Sequence, residues 1–177
     1  MATIYTIGHS TRDLADFTAL LQVHCIELLA DIRAFPMSKR MPHFNREALD
    51  LWLHEVGIEY VWCKDLGGRR GKQAGDSRNI ALRDDSFRNY ADYTLTPKFQ
   101  NATADLLRLA EQKSAAILCA EAVYFRCHRM LVSDYLVAHG HRVLHITDLN
   151  PPREHALTRE ARMIDDQLLY VGDRLFT

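Results

Sequence analysis

The stretch from Cys119 to Arg129 contains the residue types and spacing best suited to chemistry. It reads Cys-Ala-Glu-Ala-Val-Tyr-Phe-Arg-Cys-His-Arg and joins a short apolar run to an amphipathic one. A strand end that leads into a helix N-terminus gathers unpaired backbone N–H groups and partial positive charge. A thiol in that position has a lowered pKa, which favours the reactive thiolate. We therefore predict chemistry at Cys119 or Glu121, with His128 moving protons.

Two other interpretations of this stretch stay open. Cys119, Cys127 and His128, with His9 nearby, offer soft nitrogen and sulfur ligands for a metal ion. Adjacent residues on one helix point to different faces, however, which argues against a shared ion. Free cysteines are also among the most buried residues, so both could simply belong to the core.

Polar residues also follow the other apolar runs of the chain. The alternation of strands and helices predicts a mostly parallel sheet, whose carboxyl ends meet at one edge and bind ligands there. Loop residues are polar in most proteins, but a His, an Asp, an Arg, a Cys and a Glu at successive strand ends indicate a shared pocket. The predicted members outside the first stretch are His9, Ser10, Asp31, Arg33, Gly67 and Gly68.

The elements that must position these residues follow from hydrophobic spacing. Strands are predicted at 4–7, 26–32, 58–63, 115–119 and 143–146. Helices are predicted at 14–23, from Asn45 as N-cap to 56, at 87–93, 97–113 and 127–139. This pattern predicts one α/β domain over residues 1–177, with about five strands, helices on both faces and a Rossmann-like three-layer arrangement. A C-terminal extension is expected from about residue 150.

Two loops carry most of the positive charge. Residues 33–46 contain four cations and no acid, and residues 64–83 contain six cations and two acids. Arg40 and Phe44 lie in the first loop, and we expect them to hold an anion and to stack on a base, respectively. Cations near aromatic side chains suit a phosphate-bearing ligand or a nucleic-acid strand. The long segment from Gly67 to Asp85 is a candidate lid.

Composition excludes several classes of protein. The 177 residues are 47% hydrophobic and 25% charged, and the net charge is -1. These values are typical of a folded globular protein and exclude an overall attraction to nucleic acid or to anionic membrane. No apolar run approaches the roughly 20 residues of a membrane-spanning helix, so no membrane association is expected. The first residues lack signal-peptide features, so we expect four reduced cysteines and a cytoplasmic location.

An ordered set of short motifs resembles one known family. It runs from about residue 3 to 147 and comprises Tyr5-Thr-Ile-Gly-His-Ser10, Asp31-Ile-Arg33, Ser38-Lys-Arg40, Phe44-Asn45, Gly57-Ile-Glu-Tyr60, Leu66-Gly-Gly68, Cys119-Ala-Glu121 and Cys127-His-Arg129. The family is that of domain of unknown function 488. The resemblance implies a compact α/β domain and names no activity. It also suggests that the strand-end residues belong together.

Three functions remain for the sequence. The first is an enzyme in which Cys119, Glu121, His9 and His128 do the chemistry, while Arg33, Arg40 and Arg129 hold an anionic substrate such as a nucleotide or a base in nucleic acid. The second is a binding module for single-stranded nucleic acid or a nucleotide, without catalysis. The third is a Cys/His metal-binding or redox protein. The sequence indicates no particular cofactor and no oligomeric state.

Overall fold

The fold is a three-layer α/β arrangement with helices on both faces of a mostly parallel sheet. The computed structural model describes residues 1–172. Its sheet has the strand order β3-β2-β4-β1-β5-β6, in which β1 to β5 are parallel and β6 is antiparallel to β5. The strands are β1 (Thr3–Gly8), β2 (Leu28–Asp31), β3 (Glu59–Trp62), β4 (Ala115–Cys119), β5 (Arg142–Ile146), β6 (Arg153–Glu154), β7 (Ala161–Ile164) and β8 (Gln167–Tyr170). The helices are α1 (Leu14–Val23), α2 (Arg46–Glu55), α3 (Asp85–Thr94), α4 (Pro97–Ala110) and α5 (Arg129–Ala138).

Burial on both faces explains the continuous apolarity of the central strands. Every residue of β2 and β4 is buried. One core cluster lies between the sheet and helices α1 and α2, and the other lies between the sheet and helices α3, α4 and α5. The predicted α/β class, the parallel sheet and the helices on both faces are therefore confirmed.

Side-chain caps set several helix starts. Asp13 accepts the backbone N–H of Asp16 at the start of α1, and Thr96 accepts that of Phe99 at the start of α4. Pro97 occupies the first turn of α4, where its missing N–H has no cost. Three predicted helix ends shift by two residues or more: α3 begins at Asp85 instead of 87, α4 stops at Ala110 instead of 113, and α5 begins at Arg129 instead of 127.

The chain after residue 150 adds strands for which the sequence indicates no definite element. Residues 153–154 extend the sheet at its β5 edge, and β7 and β8 form a separate antiparallel hairpin. Asp165 and Asp166 both have positive φ in the two-residue turn, as a primed hairpin turn requires. Ala161, Leu168 and Tyr170 pack into the core beside α5. The five residues after 172 fall outside the described part of the predicted extension.

A crevice opens where the chain leaves neighbouring strands toward opposite faces. After β2 the chain runs to α2 on one face, and after β4 it runs to α5 on the other. Ligands of open α/β sheets bind in such crevices, outside the carboxyl ends of the strands. Within residues 1–172, no helix combines the length and apolarity needed to cross a membrane.

Candidate functional site

Three soft donor atoms converge at the carboxyl end of β4. The Nδ1 atom of His128 lies 3.9 Å from the sulfur of Cys119 and 3.5 Å from the sulfur of Cys127. The two sulfurs and this nitrogen all lie within 4.8 Å of one another. Both cysteines are buried, and His128 is partly exposed. We call these three residues the Cys–His cluster.

The convergence depends on the backbone just before α5. Cys127 is extended, with φ -141° and ψ 154°, and His128 is the N-cap residue, with φ -56° and ψ -14°. The two residues therefore precede the helix instead of sitting on adjacent helical positions. The expectation that their side chains point to different helix faces is wrong for this reason, and both reach the sulfur of Cys119 at the strand end.

The imidazole of His128 is held in one orientation. Its Nε2 lies 2.9 Å from the carbonyl oxygen of Ile32, so Nε2 carries a proton and donates it to that oxygen. Nδ1 is then the atom that faces the sulfurs. Gly68 lies flat against the ring, since a Cβ there would come within 2.9 Å of Nδ1. Tyr90 packs nearby, with the ring centroids 5.1 Å apart.

The two thiols share their proton unequally. A hydrogen bond from Cys119 holds the pKa of Cys127 well below its ordinary value, and His128 and Arg129 act in the same direction. The same hydrogen bond, together with burial, raises the pKa of Cys119. Negative charge on the pair is therefore favoured at the Cys127 sulfur, which also accepts the backbone N–H of Arg129.

Arg129 is a buried cation beside this pair. It is 1% exposed, and its backbone N–H donates to the sulfur of Cys127 over 3.4 Å. Its guanidinium donates to the carbonyl oxygens of Glu121 and Ala122. Nε has no partner, and none of the ion pairs found in residues 1–172 joins Arg129 to a carboxylate.

Arg129 contacts Glu121 through the backbone. The Glu121 carbonyl, and not its carboxylate, accepts from Arg129, and the Glu121 side chain is exposed. Gly8 permits this arrangement, because a Cβ at position 8 would overlap the Glu121 carbonyl oxygen and come within 2.9 Å of the Arg129 guanidinium.

A second buried arginine lies across the crevice at the end of β2. The Arg33 guanidinium donates to both carboxylate oxygens of Asp31, and Tyr60 donates to the same carboxylate over 2.7 Å. Asp31 is 0% exposed. The remaining Arg33 nitrogen lies 3.3 Å from Nε2 of His9, which must accept because guanidinium only donates.

His9 is consequently uncharged in this geometry. Its Nδ1 donates to the carbonyl oxygen of Ser10 over 2.9 Å, so both ring nitrogens are engaged. Burial lowers its pKa to about 4. The ring stacks on Phe44 with centroids 4.3 Å apart.

The Cys–His cluster and Arg33 open onto one cleft of about 670 Å³, which we call the strand-end cleft. Its volume is that of a small-molecule site. Arg69 and Arg126 bring two further cations to it, and Glu121 brings one carboxylate. The lining residues are Arg33, Ala34, Phe35, Met37, Gly68, Arg69, Ser86, Phe87, Tyr90, Cys119, Ala120, Glu121, Arg126, Cys127, His128 and Leu131.

Several predicted site residues lie outside this lining. Arg40 is exposed and Phe44 is 0% exposed in the core. Ser10 has a positive φ of 50° and meets His9 through its carbonyl. Gly67 has no room for a Cβ, which would come within 2.9 Å of Ala34 Cα.

Sequence reasoning missed the contribution of α3. Ser86, Phe87 and Tyr90 line the cleft, and Tyr90 donates to the carbonyl of Leu66 over 2.6 Å. Nothing in the sequence indicates that this helix returns to the strand ends. The predicted loop before it is anchored by Asn79, which accepts the backbone N–H of Tyr170.

Two further histidines lie in the core, away from the cleft. His145 is 1% exposed and His155 is 6% exposed, and His155 is hydrogen-bonded to His145 and Asp134. Cys25 is exposed and has a φ of 53°.

Comparison with known proteins identifies one matching family. The family described as Domain of unknown function DUF488 matches residues 13–136. No curated protein and no solved structure matches the chain.

Proposed function

This chain belongs to the DUF488 family, and from the geometry of its site we propose that it is an enzyme that acts on a small anionic substrate in the strand-end cleft. The observation that carries the proposal is the Cys–His cluster in the wall of a cleft that is rich in arginine. The cluster provides the reacting atoms, and the arginines favour a negatively charged partner.

The charges around the cleft support an anion. Asp31 neutralises Arg33, whereas Arg69 and Arg126 line a cleft in which Glu121 is the one acidic residue among the lining residues. Guanidinium groups bind carboxylates and phosphates through two parallel hydrogen bonds. A ligand with a carboxylate or phosphate therefore fits better than a neutral or cationic one.

The reacting atoms favour catalysis over simple binding. Binding of an anion does not need two thiols that share a proton under an oriented imidazole, and perturbed groups of this kind cluster at functional sites. In this proposal Arg69 and Arg126 bind the anion, the cluster reacts, and the Glu121 carboxylate transfers protons at the rim. His9 and Asp31 are positioning residues that hold Arg33.

The nucleic-acid alternative has one supporting observation. Phe35 is 69% exposed beside the cleft, with the Arg69 guanidinium 5.8 Å from its ring centroid. A base could stack there. The cleft volume, however, suits a single nucleotide better than a strand, so we treat a strand as a competing outcome of the test.

The test measures binding and turnover with one panel of ligands. Inorganic phosphate, a dicarboxylate, nucleoside monophosphates and a short single-stranded oligonucleotide are screened by thermal shift, and turnover is followed by mass spectrometry. Arg126→Gln is expected to weaken anion binding about tenfold, as loss of one charge-assisted hydrogen bond would. Cys127→Ser is expected to abolish turnover and keep binding.

Arg108→Gln is the matched control, because Arg108 is exposed and pairs with Asp105 on α4. It should bind anions like the wild-type chain. An unchanged affinity in Arg126→Gln, or turnover that survives in Cys127→Ser, would contradict the proposal. Binding of the oligonucleotide alone, with a steep salt dependence, would favour the binding module.

A further inference from the structure

We propose that Cys119, Cys127 and His128 bind a single Zn²⁺ ion whose fourth coordination position opens into the strand-end cleft. The metal site itself stands on the geometry of the three donors. Its catalytic part, that the ion is the reacting centre for the anion, rests on the proposed function.

The distances between the donors fit one tetrahedral ion. Zn–S bonds of about 2.3 Å and Zn–N bonds of about 2.0 Å at tetrahedral angles place sulfur and nitrogen about 3.6 Å apart. The observed separations from Nδ1 of His128 are 3.5 Å to Cys127 and 3.9 Å to Cys119. The two sulfurs lie within 4.8 Å of each other, so the three donor atoms surround a space that one ion can occupy.

The imidazole already presents the correct nitrogen. Metal-bound histidines usually donate their other N–H to a carbonyl or carboxylate, which fixes the tautomer and the ring. The Ile32 carbonyl takes that role for Nε2 of His128 at 2.9 Å. Gly68 and Tyr90 hold the ring in place, so a ligand would find Nδ1 aimed at both sulfurs.

The surroundings also favour two thiolates. A backbone N–H of Arg129 donates to the Cys127 sulfur, and the guanidinium of Arg129 is buried without a carboxylate partner among the described residues. Negative charge on the sulfurs offsets this buried cation. With a divalent ion bound, the two thiolates, the ion and the Arg129 guanidinium sum to one net positive charge, which suits an anion at the fourth position.

The fourth position distinguishes a reacting site from a structural one. Structural zinc sites are closed by four protein ligands, whereas catalytic sites have three and leave one position for water or substrate. The group of donors found in residues 1–172 has three members. All three line the cleft, as do Arg69 and Arg126, so an anion held by these arginines lies beside the open position.

The test uses cobalt as a spectroscopic probe of the full-length chain. Protein stripped with a chelator is titrated with Co²⁺, and thiolate-to-cobalt charge transfer and tetrahedral d–d absorption are recorded. The wild-type chain should bind one equivalent, and Zn²⁺ should displace it. Cys119→Ser, Cys127→Ser and His128→Gln should each weaken binding more than about 100-fold, because loss of a ligand exceeds the effect of losing a supporting residue.

Cys63→Ser is the matched control, since Cys63 is a partly buried free cysteine outside the group. It should bind cobalt like the wild-type chain. Should a ligand variant fail to fold, alkylation of the wild-type chain decides: Zn²⁺ should protect Cys119 and Cys127 and leave the exposed Cys25 reactive. No charge-transfer band in folded wild-type protein, or no selective protection, would overturn the metal site.

The two proposals fail separately. Thiol-dependent turnover of an anion in protein that binds no Zn²⁺ would overturn the metal site and leave the proposed function standing. Stoichiometric Zn²⁺ binding by a chain that neither binds nor converts any anion would support the metal site and overturn the proposed function.

Discussion

Two buried polar groups flank α5, and they differ in how completely their hydrogen bonds are satisfied. The Cys–His cluster lies before the first turn of the helix and opens onto the cleft. The other group, which we call the histidine network, is sealed beside the helix. Its members are Thr6, Asp134, His145, His155 and Tyr170.

Every link of the histidine network has a partner. Asp134 accepts from Nε2 of His155, from the backbone N–H of Thr158 and from the hydroxyl of Tyr170. With both rings neutral, His155 accepts from Nε2 of His145 over 2.9 Å. Thr6 then donates to Nδ1 of His145 over 2.7 Å and closes the chain.

The hydrogen bonds in and around the Cys–His cluster are not all satisfied in this way. Among the described residues, the buried Nε of Arg129 has no partner, and the two thiols share a single imidazole nitrogen. A saturated buried network fixes geometry, whereas the two sulfurs and Nδ1 of the Cys–His cluster belong to residues that line an open cleft and are free to meet a ligand. The histidine network resembles a proton relay, but all of its hydrogen bonds are made within the protein. The Cys–His cluster, whose donor atoms lie beside a cleft, is therefore the better candidate for the functional site.

The largest loss of stability should come from removing Asp134, the carboxylate that accepts hydrogen bonds in the histidine network. Asp134→Ala leaves three buried donors without a partner, and each such donor costs about 1–3 kcal/mol. We expect the free energy of unfolding to fall by about 3 to 5 kcal/mol, measured by urea denaturation. Binding of anions by the folded fraction should be unchanged.

Asp105→Ala is the control, because Asp105 is exposed and pairs only with Arg108. Asp134→Asn retains one acceptor oxygen and should fall between the two. A folded Asp134 variant that has lost anion binding would mean that the network also positions the cleft, and the contrast between the two regions would fail.

The pH dependence of stability gives the next largest effect. Burial lowers the pKa of His145 to about 3, against about 6.5 in the unfolded chain. The unfolded state therefore binds one more proton between these values, and stability falls as the pH drops through this window. One proton corresponds to about 1.4 kcal/mol per pH unit. The groups that face His145 from the elements around it are Thr6, Tyr124, Arg129, Arg153 and His155.

His145→Gln removes this titration and should flatten the pH dependence between pH 6 and pH 4 by up to about 1.4 kcal/mol per pH unit. Urea unfolding at several pH values measures the slope, which does not depend on the absolute cost of the substitution. His54→Gln, on the exposed side of α2, should retain the wild-type slope. Equal slopes in His145→Gln and the wild-type chain would show that His145 is not buried in its neutral form.

The sequence predicts the fold well because the spacing of apolar residues, which indicates strands, helices and their buried faces, can be read within short segments. The near-continuous apolar runs at 26–32 and 115–119 identify central parallel strands, and the polar residues at the end of each strand identify the edge of the sheet where the site lies. The sequence could also indicate the Cys–His cluster, because its three residues lie within one stretch of eleven residues. What local reasoning could not supply was the backbone conformation at Cys127, which turns two adjacent side chains toward one point.

Contacts between distant segments were beyond sequence reasoning. His155 is separated from Asp134 by 21 positions, and its burial depends on β6 joining the sheet edge. Arg129 is predicted to hold an anionic substrate, and in the structure its guanidinium donates to the backbone carbonyls of Glu121 and Ala122. Residue types indicate charges, but they do not say whether a charge meets a side chain or a peptide oxygen.

The smallest change in stability and affinity should come from replacing the carboxylate of Glu121. This substitution tests whether the Glu121 carbonyl or its carboxylate holds Arg129. Since Arg129 is held by the Glu121 carbonyl, Glu121→Gln leaves that contact intact and should change the free energy of unfolding by less than about 0.5 kcal/mol. Removing one exposed negative charge from the cleft should raise the affinity for inorganic phosphate about twofold at low salt, an effect that fades as salt is added. Isothermal titration at two salt concentrations measures this, with Glu111→Gln as the control outside the cleft. A loss of stability as large as that of a buried ion pair would mean that the carboxylate does reach Arg129, and the cleft would then be as closed as the histidine network.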